Sequence, residues 1–114
     1  MMNVGGTELT ATLEDNATAR DFATLLPLTL TLEDYAATEK ISTLPRKLST
    51  AGAPPGTSAS IGDIMCYTPW GNLAIFYRAS GYAAGLVKLG AIDGDIQVFE
   101  RPGTLQVTID LSEA

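Results

Sequence analysis

At 114 residues and 46% hydrophobic side chains, the chain has material for one core and not for two. Thirteen acidic against seven basic residues leave a net charge of -6, which argues against nucleic acid or an anionic membrane as partner, since both call for excess Lys and Arg. The absence of histidine removes the usual general base near neutral pH, the commonest metal ligand and the base of every Ser–His or Cys–His couple, so neither a metal site nor a cofactor is expected.

Leu9, Ala11 and Leu13 alternate with Thr10 and Thr12, the period of a strand with one buried face, and Gly5-Gly6 before them suits a tight turn to a partner strand at Met2–Val4. From Asn16 the pattern becomes helical. Asn16 is an N-cap residue, Asp21 lies in the first turns, and Ala19, Phe22, Leu25 and Leu26 share a face until Pro27 stops the helix. This short helix is expected to plug one mouth of a barrel. Leu28, Leu30 and Leu32 then alternate with Thr29 and Thr31 in a strand ending near Glu33-Asp34.

Pro45 to Gly62 is rich in Pro, Gly, Ser, Thr and Ala without apolar periodicity and is read as one long loop, of the kind that often serves as a binding lid. Asp63–Tyr67 and Asn72–Arg78 flank Thr68-Pro69-Trp70-Gly71 as a hairpin, and their continuous apolar runs imply burial on both faces or one face lining a pocket. A loop through Gly81, Tyr82 and Gly85 leads to a strand at Leu86–Ile92. Asp93-Gly94 is read as a hairpin turn into another at Ile96–Phe99, and Leu105 to Leu111 alternates cleanly as the last. The expected architecture is all-β, mainly β: one domain over residues 1–114, a closed barrel of about eight strands with one short helix.

Three stretches carry a family resemblance: Thr38–Ile41 leading to Leu44-Pro45-Arg46-Lys47-Leu48, then Gly62-Asp63-Ile64 through Pro69–Tyr77, and Gly85–Gly90 with Ile92-Asp93. The chain resembles the small bacterial and archaeal cyclophilin-like domains, which implies a trimmed cyclophilin barrel. Cyclophilins isomerise X-Pro bonds with an arginine beside an apolar proline pocket, on strands bearing a Phe-His-Arg motif and a Gln-containing glycine-rich segment. Neither motif occurs here, so no catalytic residue carries over.

Four residues are candidates for ligand binding. Arg46, with Lys47 at the start of the long loop, offers a fork of N–H donors, against the plainer reading of a solvated basic pair. Trp70 at a hairpin tip can roof an apolar pocket or fold back onto the barrel. Tyr67 and Phe76, like Tyr77, are ordinary core unless one lines a cavity. Glu39, Lys40 and Tyr35 form the one local cluster of acid, base and phenol, and are read as a surface ion pair. Cys66 is read as a small buried apolar residue, and as the lone cysteine it excludes an internal disulfide. With no basic, apolar leader and no run of about eighteen apolar residues, the cytoplasm is the expected location.

The leading functional expectation is a non-enzymatic module binding a small molecule or a proline-containing peptide beside the Pro45–Gly62 loop and the Trp70 turn. The alternative is a prolyl isomerase with a divergent site, Arg46 or Arg78 as donor and Phe76 or Tyr67 as pocket floor. A third reading joins two copies into a homo-oligomer through a strand edge or the hairpin tip.

Overall fold

The structure, a computed structural model, describes residues 1–111. Among these the strands are β1 (Met2–Val4), β2 (Thr7–Leu13), β3 (Leu28–Tyr35), β4 (Glu39–Thr43), β5 (Gly56–Ala59), β6 (Asp63–Tyr67), β7 (Asn72–Phe76), β8 (Ser80–Ala84), β9 (Leu86–Asp93) and β10 (Leu105–Ile109). One helix, α1 (Ala17–Ala23), follows β2, and a 3₁₀ turn spans Gln97–Glu100. Eight strands close a barrel in the order β1-β10-β3-β4-β7-β6-β9-β2, every neighbouring pair antiparallel, while β5 and β8 form a separate two-stranded ribbon. No helix among the described residues is long and apolar enough to cross a membrane.

The period-two pattern sorts side chains between the two sides of the wall. Val4, Leu32, Ile64, Cys66, Leu73, Ile75, Leu89, Val107 and Ile109 pack inside. A second, smaller cluster of Ala59, Met65, Ala74, Phe76 and Leu86 lies on the other face of β6 and β7, with Ala83 of the ribbon packed against it. The unbroken apolar runs of the β6–β7 hairpin therefore reflect burial on both faces.

Helix α1 starts where Asn16 Oδ1 accepts from the Ala19 amide at 2.7 Å, and Asn16 Nδ2 donates to the Lys88 carbonyl of β9 at 3.0 Å. It delivers Phe22, 1% exposed, into the main cluster, a burial worth about 1.5–3 kcal/mol.

Three segments differ from expectation. Ile96–Phe99 is not a strand: Asp95 Oδ1 accepts from the Gln97 amide and the Phe99 amide bonds back to the Ile96 carbonyl, which closes a 3₁₀ turn, so Asp93-Gly94 leads into that turn and not a hairpin. The eighth barrel strand is instead β4, Glu39–Thr43. The Pro45–Gly62 segment is not wholly loop, since Gly56–Ala59 forms β5, paired with a β8 drawn from the expected Gly81–Tyr82 loop. That pairing is close: a Cβ on Gly56 would meet the Ala83 carbonyl and, at 2.8 Å, the Tyr82 hydroxyl.

Candidate functional site

Strand register decides which side chains meet on the outer wall. Tyr35 pairs with Glu39 and Glu39 with Phe76, giving one lateral row across β3, β4 and β7. Thr43, Asn72, Tyr67 and Leu86 give another across β4, β7, β6 and β9. Directly opposed residues share a face, so both rows look outward, with Ile41 between them. Ser80 and Ala83 of β8 close one side and Trp70 rises at the β6–β7 tip. Together these residues line a cavity of about 210 Å³.

The cavity is aromatic. Phe76, 1% exposed, is buried within it, while Tyr35 and Trp70 remain 45% and 52% exposed. The Trp70 ring makes a T-shaped contact with Tyr35, centroids 5.6 Å apart and planes at 82°, and another with Tyr67, at 5.1 Å and 89°. Its turn is pinned: the Thr68 amide and hydroxyl both donate to the Gly85 carbonyl, at 2.9 and 3.0 Å, and the Gly85 amide donates to the Pro55 carbonyl. Gly85 has φ +88°, and a Cβ there would sit 2.6 Å from Pro69 Cδ, so only glycine lets the two turns meet.

Glu39 is the acidic group of the cavity. Half-buried there, it makes no ion pair or side-chain hydrogen bond among the described residues, and burial raises its pKa above the usual glutamate value. Its neighbour Lys40 faces the opposite way, 0% exposed inside the barrel, where Nζ donates to the Arg101 and Gly103 carbonyls at 2.6 and 2.7 Å and pairs with Asp34 at 3.0 Å. Glu39 and Lys40 are therefore not a surface ion pair; strand alternation puts the wall between them.

Of the four candidate binding residues, Tyr67, Trp70 and Phe76 line the cavity and Arg46 does not. Arg46 grips Asp21 of α1 with both ends of its fork, Nη1 to Oδ2 at 2.9 Å and Nη2 to Oδ1 at 2.7 Å, and also bonds Thr24. Arg78 pairs with Glu100 at 3.1 Å and lies over the Tyr77 ring. No residue of Pro45–Gly62 lines the cavity either; that segment reaches the outer wall through Ala59 of β5, which packs in the cluster with Phe76 and Leu86. Tyr35, Glu39, Asn72, Ser80 and Leu86 belong to the site although the sequence did not mark them for binding. Tyr35 and Glu39 were already neighbours in a noted cluster, and only the register shows that they share the outer face. Cys66 is buried on the inner face, and burial pushes its thiol up to about 11.

A family model described as the cyclophilin-like family matches residues 2–110, the whole barrel and the ribbon with it. No curated protein and no solved structure matches the chain.

Proposed function

The chain belongs to the cyclophilin-like family, and from that premise we propose that it is a binding module, seating a small molecule or one side chain of an extended, proline-containing peptide in the outer-wall cavity. The observation that supports this most directly is the convergence of Tyr35, Tyr67, Trp70 and Phe76 from three separate strands and a turn on one concave space. The cavity, about 210 Å³, has room for one headgroup or side chain.

Isomerisation of an X-Pro bond needs a donor beside the proline ring to weaken amide resonance against a barrier of about 18–20 kcal/mol. The two arginines considered for that task are held by Asp21 and Glu100, away from the cavity. Binding without catalysis is therefore the reading retained. Titration with proline-containing peptides and a metabolite panel, followed by the emission of the single tryptophan, is expected to give a saturable shift for at least one ligand. Tyr67→Ala should weaken that ligand about tenfold by calorimetry. An emission that no ligand moves refutes the reading.

A further inference from the structure

We propose that the cavity is a cage for an alkylammonium cation, carried either by a lysine-type side chain or by a small free amine. The proposal rests on the binding reading above and names its ligand.

The walls supply the first reason. Aromatic ring faces are negative, and a cation within about 6 Å of a centroid is attracted to them, most strongly by Trp. Trp70 stands nearly perpendicular to both Tyr35 and Tyr67. All three rings line the cavity, so a cation seated there lies against aromatic side chains from β3, from β6 and from the turn between β6 and β7.

Charge supplies the second. Glu39 lies in the same cavity, half-buried and with no basic partner among the described residues. A half-buried carboxylate without a counter-charge is partly desolvated and uncompensated. The cations of the neighbouring segments are turned elsewhere: Lys40 into the barrel towards Asp34, Arg78 to Glu100, and Lys47 to the far side of the turn, beside Gly71 and Cys66. Among the described residues no Lys or Arg lines the cavity. An anionic ligand would face Glu39 unscreened, and a proline ring would fill the space while leaving the carboxylate uncompensated. An alkylammonium group satisfies both the rings and the carboxylate, and the net charge of -6 favours its approach.

Choline and 3,3-dimethylbutanol have nearly the same shape and differ in the central atom, charged nitrogen against neutral carbon. Titrated into the intact protein at matched ionic strength, with Trp70 emission and saturation-transfer NMR as readouts, choline is expected to bind at least about tenfold more tightly. Glu39→Gln should remove about tenfold of that affinity and leave the alcohol's unchanged. A hexapeptide carrying one trimethyllysine among Gly and Ala distinguishes the sources. Tighter binding than choline identifies a peptide side chain, and equal binding a free amine. Equal affinity of wild type for choline and its neutral isostere overturns the cation cage and leaves an apolar binding pocket. So does an unaltered choline affinity in a folded Glu39→Gln. A Trp70 signal that responds to no cation, isostere, peptide or metabolite removes the binding reading as well.

Discussion

Lys40 is fully enclosed, and each of the three protons on its ammonium has an acceptor: the Arg101 carbonyl, the Gly103 carbonyl and Asp34 Oδ1. Asp34 in turn accepts from the Tyr77 hydroxyl at 2.8 Å and from the Gly103 amide. The Lys40 hydrogen bond, followed by that of Tyr77, holds the Asp34 carboxyl below its usual range, while burial, with the Asp34 bond second, raises the Tyr77 phenol. One lysine thus ties β4 to the end of β3 and to the turn before β10. Lys40→Ala removes three hydrogen bonds of an enclosed ammonium and leaves a cavity, and should lower unfolding free energy by about 2–4 kcal/mol in urea titration. Lys40→Met, which keeps the volume, should lose less than Lys40→Ala. A Lys40→Ala protein as stable as wild type would mean that these bonds contribute nothing net.

At the scale of elements, α1 is fastened to the segment after β4 through Asp21, which accepts from Arg46, Thr24 being a further Arg46 partner, and from the Ser49 amide at 2.7 Å. The Arg46 hydrogen bonds, then that of Ser49, lower the Asp21 pKa from 3.8 to about 2. A carboxyl with its folded value depressed stabilises the fold fully above its unfolded value and loses that contribution as pH falls through the folded one. Wild type should therefore lose stability between about pH 4 and pH 2 more steeply than Asp21→Asn, which starts less stable at pH 7; urea midpoints across that range would show parallel curves if the clamp were idle. The same elements show what the sequence makes legible. The alternation of Leu and Thr in β2 and β3, and of Leu105, Val107 and Ile109 in β10, predicts strands because each has one dry face. Strand β4 hides because its inward residue is a lysine, a residue type that reads as surface until its three acceptors are seen. Strands β5 and β8 hide because Gly, Ser, Thr and Ala carry little pattern, and their pairing is fixed by close backbone approach at Gly56. Val98 and Phe99 are as buried as strand residues, so apolar content could not distinguish a 3₁₀ turn from a strand. The aromatic part of the site was legible at Tyr67, Trp70 and Phe76 because two-faced strands imply something on the outer face. Glu39 was not, since its place beside Phe76 depends on pairing with β7, a strand distant in sequence.

Across the whole molecule, the wall and the ribbon differ in how they are held. Every barrel strand has two hydrogen-bonded neighbours, whereas β5 and β8 have only each other. The ribbon can therefore open without breaking the wall, and its amides should exchange with deuterium at least about tenfold faster than those of β6, β7 and β9, with little dependence on added urea. Saturating ligand should slow the ribbon amides, because Ser80 and Ala83 form one side of the cavity. Equal protection in ribbon and wall would show that they open as one unit.

The first strand of the chain sits between the last strand and the second, with the Val4–Val107 and Met2–Ile109 pairs sealing the seam. During synthesis β1 therefore has only its hairpin partner for company until residues 105–109 have left the ribosome. The circle closes only once β10 has been made, and until then the nascent chain carries an open flank on β1 that chaperones, or another such flank, can reach.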